Sequence, residues 1–320
     1  MDGSPQSPDP QLTDRFGADL AALWRGAGRL GVAVSGGPDS LALLLLAHAA
    51  LPGRVAAATV DHRLRAESAA EAAMVAAVCA RLGVPHAVLP VEVEQGNLQS
   101  QARAARYAAL AAWMEREEIE ALATAHHADD QAETLLLRLG RGSGVAGLSG
   151  VRARSLVPGT RLPLARPLLG WRRAELAGIV AAAGLEAVDD PSNRDDRFDR
   201  ARIRKVLAGA DWLDVPALAQ SAANLGDADA ALDWAAAREW AEAVSTAPMG
   251  LTYRPQAPRA VALRVLTRIV TELDGEAPRG SAVARLFDSL VARQPASIGN
   301  LVARAVPEGW SFTKAPRRKA

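Results

Sequence analysis

The sequence contains only one cysteine, Cys79, among its 320 residues. A lone cysteine excludes a disulfide within the chain, a Cys-x-x-Cys redox pair and any zinc or iron–sulfur site that needs several cysteines of one chain. The residue stands in the helical pattern AAMVAAVCARLG. This setting is typical of a buried core residue and not of a reactive thiol.

The sequence also lacks a long apolar run and a strong net charge. Its longest apolar stretch, 41–51, includes His48 and is too short to span a bilayer. The start MDGSPQSPDPQLTDRF has acidic residues and prolines where a signal peptide has basic and then apolar residues. We therefore expect a cytoplasmic protein without a membrane partner. The formal net charge of +1 provides no global attraction to nucleic acid, so such binding must come from local patches.

Between about residues 30 and 125, short β-rich runs alternate with longer helical patterns. The runs are RLGVAVS, RVAAATV, HAVLPVEV and EALATA, and the helical patterns between them include DSLALLLLAHAAL and ESAAEAAMVAAVCARLG. Such alternation predicts an α/β fold with a doubly wound parallel sheet and helices on both faces. In that architecture, ligands bind at the carboxyl ends of the strands.

The C-terminal part has a different pattern. A weak linker signal near 211–216 precedes the amphipathic helical patterns LAQSAANLGDADAALDWAAAREWAEAV and RAVALRVLTRIVTEL. We therefore predict two domains, an α/β domain over 1–210 and a smaller, mainly helical domain over 211–320. The closing WSFTKAPRRKA is typical of a solvated terminus, and an edge strand followed by a basic tail is the alternative.

The hexapeptide SGGPDS follows the first β-rich run and opens a helical pattern. Its glycines let the backbone approach a phosphate, and the free N–H groups at a helix start favour an anion. A carboxylate in such a place requires a cation, most simply Mg²⁺. The motif lacks the lysine of the Walker pattern, and the alternative is a tight turn in which Asp39 or Ser40 caps the helix. The predicted phosphate-binding residues are Ser35, Gly36, Gly37, Pro38, Asp39 and Ser40.

SGGPDS resembles the S-G-G-x-D-S signature of the PP-loop ATP pyrophosphatases, which adenylate an oxygen of an acceptor and release pyrophosphate. Later motifs narrow the resemblance: VDHRLR, ARAARYAAL, ATAHHADDQAETLLLRLGRGSGVAGLSG, ARPLL and DDPSNRDDRFDRARIRKVL. In this order and spacing they resemble bacterial tRNA(Ile)-lysidine synthetases over about residues 28–208.

The resemblance implies an adenine-nucleotide α-hydrolase-like fold and a two-step reaction that uses ATP and Mg²⁺. ATP adenylates the 2-oxo group of the wobble cytidine in the CAU anticodon of tRNA(Ile). The ε-amine of free lysine then displaces AMP to give lysidine. The activation comes first because a ring oxygen of this kind is a very poor leaving group until it carries a phosphate.

Asp130 and Glu133 stand three residues apart on a predicted helix, and His126 precedes it at a strand end. Two carboxylates that face one pocket suit a cationic lysine, a Mg²⁺ ion or both. The resemblance implies that both carboxylates recognise and activate lysine, that His126 lies beside ATP and that Arg106 is near the active site. The predicted catalytic residues are Asp39, Arg106, His126, Asp130 and Glu133, with Asp39 and Asp130 as Mg²⁺ ligands. Without the motif, DDQAE is an acid-rich first helical turn, the histidines are structural and Arg106 is a surface residue.

The resemblance also places three residues on the substrate side of the cleft: Asn193, Arg202 and Arg204. The family usually reads Arg-Asn-x-Ile-Arg here, and this chain has Ala201 in place of the asparagine, which weakens any role at that position. Asp61 and His62 are predicted at the end of the second strand, where doubly wound folds often contact the nucleoside, and capping of the next loop is the alternative.

A tRNA substrate requires a surface that contacts phosphates. Arginines around Trp171 are candidates for such a patch, and an ordinary solvated surface is the alternative: Arg152, Arg154, Arg161, Arg166, Arg172 and Arg173. The expected partners are therefore tRNA(Ile) with a CAU anticodon and free lysine, and the C-terminal domain is expected to help hold the tRNA. A homodimer is a further possibility.

Two other functions compete with this interpretation. A tRNA thiolase of the same superfamily would carry sulfur on cysteine or on a cluster bound by several cysteines, which the lone Cys79 does not favour. A binding module that kept only the fold would have lost its active-site acids, whereas Asp39, Asp130 and Glu133 are all present.

Overall fold

The structure is a computed structural model that describes residues 5–63, 68–92, 98–188 and 199–315. The chain divides into two compact units, Met1–Gly226 and Asp227–Ala320. This division lies inside helix α9, Val215–Ala243. The predicted domain boundary near residue 211 precedes that helix and stays a prediction. Among the helices in the described ranges, none is long and apolar enough to cross a membrane.

The first unit contains a six-stranded sheet with the order β3-β2-β1-β4-β6-β5. Five strands run parallel and β5 is antiparallel to β6, which confirms the predicted α/β fold. The strands are β1 Arg29–Ala33, β2 Val55–Asp61, β3 His86–Pro90, β4 Ile119–Ala123, β5 Arg154–Leu156 and β6 Pro163–Ala165. Because β1 lies between β2 and β4, the chain changes direction across the sheet at β1, where such folds open a crevice for a ligand.

Helices cover both faces of this sheet. In chain order they are α1 Pro10–Leu23, α2 Pro38–Ala50, α3 Ser68–Leu82, α4 Leu98–Arg116, α5 Ala128–Leu139, α6 Val145–Leu148, α7 Arg173–Ala182 and α8 Asp199–Gly209. Helix α2 packs against α1 and α7, and eight consecutive residues of it, 40–47, are buried. Its nearly continuous apolar sequence follows from this position, because neighbours surround it on most sides.

Alternate residues of the parallel strands contribute to two cores. Leu30, Val32 and Ala57 join one cluster, and Ala56 joins another with Tyr107. This is the period-two pattern of a sheet buried on both faces. Cys79 lies fully buried in the first of these clusters, as the sequence predicts, and burial raises the pKa of its thiol to about 12.

The second unit combines helices with a five-stranded antiparallel sheet of order β7-β8-β11-β10-β9. Its helices are the C-terminal part of α9, α10 Arg259–Asp274 and α11 Gly280–Val291, and the helical patterns predicted from the sequence are present. The strands are β7 Val244–Ala247, β8 Gly250–Tyr253, β9 Ala296–Ile298, β10 Leu301–Val306 and β11 Gly309–Lys314.

The segment WSFT is not part of a solvated terminus, as the sequence analysis expected, nor an edge strand. It lies in β11, the central strand of the second sheet, between β8 and β10. Trp310 and Phe312 alternate with polar residues and point into the core beside α10 and α11. The expectation was wrong because the pairing partners of this strand come from distant parts of the chain, which the local pattern does not show.

Candidate functional site

A cavity of about 570 Å³ opens at the carboxyl ends of the parallel strands in the first unit. It lies where β1 is flanked by β2 and β4, the position at which doubly wound sheets bind ligands. The SGGPDS turn, the ends of β2 and β4, and helices α4 and α5 all contribute to its wall. Polar lining residues include Ser35, Asp39, Ser40, His62, Arg103, Arg106, His126 and Asp130.

The SGGPDS turn leaves the start of α2 open to an anion. Gly36 has φ +88°, and a Cβ there would come within 3.2 Å of the Met74 and Val188 side chains, so glycine is the residue that fits without strain. Gly37 is the N-cap residue and no side chain caps the helix. Ser40 instead closes the turn, since its hydroxyl donates to the Gly37 carbonyl at 3.0 Å. The capping alternative therefore does not apply, and the first backbone N–H groups remain for a ligand.

Asp39 projects from the first turn of α2 into the cavity wall. Its Oδ2 lies 3.4 Å from Nε2 of His127. Its Oδ1 is buried and has no hydrogen-bond partner within the described part of the chain. A buried carboxylate oxygen without a partner is costly, so this atom is suited to a ligand.

His126 lines the cavity, and its Nδ1 lies 3.1 Å from the hydroxyl of Thr124. Burial lowers the pKa of this imidazole to about 4, and the nearby arginines act in the same direction while Asp130 opposes them. His126 is therefore neutral at pH 7. A neutral imidazole can donate one hydrogen bond to a phosphate without adding a charge.

Arg106 lines the same cavity from α4, where its guanidinium is half-buried. Burial lowers the pKa of Arg106, with a further contribution from the charge of Arg103. Both guanidinium groups stand over the ring of Tyr107, 5.4 and 5.1 Å from its centroid. Arg106 is thus not the surface helix arginine of the alternative interpretation, and it faces the place predicted for the phosphates.

His127 is a site residue that the sequence analysis did not select. It is 1% exposed, and it lies within ion-pair distance of Asp39, Asp129 and Asp130. Burial alone lowers the pKa of His127, but the contacts with these carboxylates outweigh it and raise the pKa to about 9. The pKa values of two adjacent histidines in one site are therefore shifted in opposite directions. Only the tertiary contacts distinguish them.

Glu133 does not share the cavity with Asp130, which corrects the prediction that both carboxylates face one pocket. Asp130 lines the cavity, whereas Glu133 is 1% exposed and turned toward α7 and α8. Its Oε1 accepts from Nε of Arg204 at 2.6 Å and from Nη2 of Arg173 at 3.3 Å. Residues three apart differ in direction by about 60° around a helix, and in a packed interior this is enough to change partners.

The second oxygen of Glu133, Oε2, is buried and has no hydrogen-bond partner among the described residues. This oxygen and Oδ1 of Asp39 are the two buried, unpartnered carboxylate oxygens of the described chain. A protein that leaves such atoms unpaired loses stability unless a ligand or solvent contacts them. Each is therefore a candidate contact for a bound substrate or ion.

Neither of the two described residues predicted on the substrate side of the cleft lines the cavity. Arg202 pairs with Asp199 on an exposed part of α8, and it is not among the described residues that line the cavity. Arg204 contacts Glu133 and not the cavity, and Asn193 lies outside the described residues. Ala201, the departure from the family pattern, is buried at 4% exposure.

Asp61, the last residue of β2, and His62, which follows it, differ in their contacts. His62 lines the cavity, and burial lowers the pKa of its imidazole. Asp61 accepts the backbone N–H of Arg63 at 2.9 Å, as the capping alternative predicts. Only His62 is thus in a position to contact a nucleoside.

The prediction of an arginine patch around Trp171 is wrong, because its central residue does not lie on the surface. Trp171 is fully buried, and its indole N–H donates to Asp19 at 2.8 Å. Arg166 is 5% exposed, while Arg172 and Arg173 are bound to Asp129 and Glu133. Of the six arginines, Arg152 is half-buried, and the two that are exposed are Arg154 and Arg161. These arginines are close together in the sequence, but in the fold they do not form one exposed patch.

Known proteins match this chain over nearly its whole length. A family model described as the PP-loop domain matches residues 9–210. A tRNA(Ile)-lysidine synthase of Novosphingobium aromaticivorans is 48% identical over 310 residues, which cover 96% of this chain and 94% of that protein. The chain belongs to this family. A second relative with the same name, from Zymomonas mobilis, is 40% identical and covers 92% of this chain and 90% of its own length.

A tRNA thiolase from Methanococcus maripaludis, solved with its iron–sulfur cluster, is similar in fold to this chain at a TM-score of 0.54. The likeness covers 67% of this chain and 76% of the thiolase at 16% identity, so it shows a common fold alone. The single cysteine here, Cys79, lies in the core and does not line the cavity. Membership of the lysidine synthase family, an ATP-dependent ligase family, therefore stands against the thiolase alternative.

Proposed function

We propose that the protein makes lysidine in the CAU anticodon of tRNA(Ile). ATP adenylates the wobble cytidine, pyrophosphate leaves, and free lysine displaces AMP. The observation that carries this proposal is the uncapped start of α2 at the SGGPDS turn, which faces a cavity beside Asp39 in a chain of this family. Backbone N–H groups at such a helix start favour a phosphate, so the turn is suited to hold the leaving pyrophosphate.

The donor set fits a Mg²⁺ ion that arrives with the nucleotide. No cluster of three or more histidine, cysteine or acidic side chains forms a metal site by itself within the described ranges. Mg²⁺ usually takes one or two carboxylates together with phosphate oxygens and water. Asp39, with its buried unpartnered oxygen, and Asp130, at the cavity wall, supply such a pair. When bound, the ion would neutralise charge on the phosphates.

Two side chains are suited to the adenylation step. Arg106 on α4 and the neutral His126, which follows β4, both line the cavity and present N–H donors to it. Donors that are fixed before the reaction stabilise charge as it develops on a phosphate. We assign both residues to the α-phosphate of ATP.

The lysine step uses Glu133 in our proposal, although this residue is set back from the cavity. Oε1 is held by Arg173 and Arg204, and Oε2 is left for the amine of lysine. The amine must lose a proton before it attacks, and a fixed carboxylate oxygen can accept it. The adjacent guanidinium groups also provide the charge that a lysine α-carboxylate requires.

The second unit, in this proposal, helps to hold the tRNA. We further propose that the enzyme works in the cytoplasm and that it can form a homodimer. Sedimentation of the pure protein with and without tRNA(Ile) tests the binding of tRNA and the formation of a homodimer. A monomer at micromolar concentration would remove the homodimer from the proposal and leave the reaction unaffected.

The reaction is tested with labelled lysine, Mg·ATP and a tRNA(Ile) transcript that carries CAU. We expect label on the tRNA, and none on a matched transcript in which the wobble cytidine is replaced by guanosine. The variant Asp39→Asn is the protein control, and it should abolish transfer while remaining folded. Absence of labelling by the folded wild-type protein on a competent transcript would refute the proposed function.

A further inference from the structure

His127 lies at the centre of the acidic side chains of the site, yet the reaction as described above gives it no task. The residue follows β4 and precedes α5, and its side chain is buried at 1% exposure. It does not line the cavity, so direct contact with a bound nucleotide is not its role. Its contacts are with residues that do line the cavity.

One edge of the imidazole connects two helices. Nε2 lies 3.4 Å from Oδ2 of Asp39 on α2 and 3.5 Å from Oδ2 of Asp130 on α5. The backbone N–H of His127 also donates to Oδ2 of Asp130 at 3.2 Å. One oxygen of each carboxylate is therefore held on the side of the histidine. Oδ1 of Asp39 remains buried and without a partner in the described chain.

The other edge of the ring is anchored from behind. Nδ1 lies 3.6 Å from Oδ2 of Asp129. That carboxylate is held in turn by the Arg172 side chain at 3.2 Å and by the Arg173 backbone N–H at 2.9 Å, at the start of α7. The chain of contacts thus runs from α7 through Asp129 and the imidazole to both cavity-lining carboxylates. Within this chain, Asp129 is held both by Arg172 and by the Arg173 backbone.

The electrostatics agree with this geometry. Three carboxylates surround one buried ring, and an uncompensated cluster of this kind would be strongly unfavourable. The carboxylate contacts raise the pKa of His127 despite its burial.

We propose that His127 is a positioning residue that holds Asp39 and Asp130 at one fixed separation, so that together they can receive the divalent cation of the metal–nucleotide complex. The proposal rests on the proposed function for the identity of the ligand. It assigns the adjacent histidines different tasks, with His126 facing the nucleotide and His127 facing the carboxylates that would carry its metal. Residues behind metal ligands commonly change metal affinity by about tenfold to a hundredfold when they are replaced.

Two substitutions separate the edges of the ring. His127→Gln places an amide nitrogen near the position of Nε2, so it retains a donor toward Asp39 and Asp130. His127→Asn places one near Nδ1 and loses that link, while it keeps the contact with Asp129. His48→Asn, near the far end of α2 and away from the cavity, is the matched control.

The measurement is the binding of Mn²⁺ in the presence of a non-hydrolysable α,β-methylene analogue of ATP, followed by the electron paramagnetic resonance signal of free Mn²⁺. We expect His127→Asn to weaken Mn²⁺ binding by about tenfold to a hundredfold. His127→Gln should stay within about threefold of wild type, and His48→Asn should not change it. In turnover, His127→Asn should raise the Mg²⁺ concentration needed for adenylation and leave the KM for lysine unchanged.

Several outcomes would overturn the inference. Wild-type Mn²⁺ binding by a folded His127→Asn protein would do so, as would an equal loss in the Asn and Gln variants, which would indicate ring volume as the cause. If the Asn variant does not fold, a folded Gln variant that fails to bind Mn²⁺ overturns the proposal. A wild-type protein that binds Mn²⁺ and nucleotide but transfers no lysine would refute the proposed function alone and leave the role of His127 standing.

Discussion

Replacement of Glu133 by glutamine tests the buried ion pairs and the lysine step in one protein. The substitution keeps the shape of the side chain and removes its charge. Arg173 and Arg204 would then lose the charge of their shared partner, although the glutamine carbonyl can still accept from both in the place of Oε1. The amide NH₂ would take the place of Oε2, where it offers donors and no acceptor for the amine of lysine.

The expected loss of stability follows from the exposure of the three side chains. Removal of one partner from a fully buried ion pair costs about 3–5 kcal/mol. Here Glu133 is buried, but the side chains of Arg173 and Arg204 are 34% and 25% exposed, so water screens part of their charge. We therefore expect a loss of about 2–3 kcal/mol in the free energy of unfolding of the first unit. Glu117→Gln, on an exposed pair with Arg116, should cost less than about 1 kcal/mol.

The same variant should separate the two chemical steps. Lysine transfer is expected to fall by about a hundredfold, the scale for loss of a positioned proton acceptor, while adenylation of tRNA continues. Adenylated tRNA should therefore accumulate in a single-turnover experiment with ATP labelled in the α-phosphate. Urea unfolding measures the stability of each variant beside this assay. Equal loss of both steps would place Glu133 in the ATP or metal site, and unchanged stability would refute the ion-pair reasoning.

Three further expectations follow from the site. Cys79→Ala should retain most lysine transfer and cost about 1–3 kcal/mol of stability, as a small core truncation; loss of catalysis in folded protein would revive the thiolase alternative. Asp39→Asn should stop adenylation, and wild-type turnover should release AMP and pyrophosphate; stoichiometric ADP and phosphate would exclude this chemistry. In NMR titrations His126 should protonate near pH 4 and His127 near pH 9. A histidine side chain in the unfolded protein titrates near pH 6.5. The stability that His126 contributes is therefore lost as the pH falls from about 6.5 to 4, and the stability that His127 contributes is lost as the pH rises from about 6.5 through 9. Titration of the two histidines at the same pH would contradict both expectations.

The sequence alone was sufficient for the parallel sheet, the SGGPDS turn at the start of α2 and the family. These features can be predicted from contiguous segments, because each strand, helix and turn of the first unit has its own local sequence pattern. SGGPDS is an example, since the turn, the helix start and the carboxylate lie within six residues. The second sheet could not be predicted in the same way. Its central strand, 309–314, pairs with strands that begin at Gly250 and Leu301, and its short alternating pattern is convincing only beside them.

Only the tertiary structure decided which side chains of the site meet. DDQAE predicted acidic residues on one helix, but the packing of α5 against α8 and beside α7 sends Asp130 to the cavity and Glu133 to two arginines. Adjacent histidines were equivalent in the sequence, and burial against different neighbours makes one neutral and the other cationic. Trp171 similarly turned from a surface candidate into a core residue. Periodicity specifies the direction of a side chain within its own element, whereas its partners depend on how separate elements are rotated against one another.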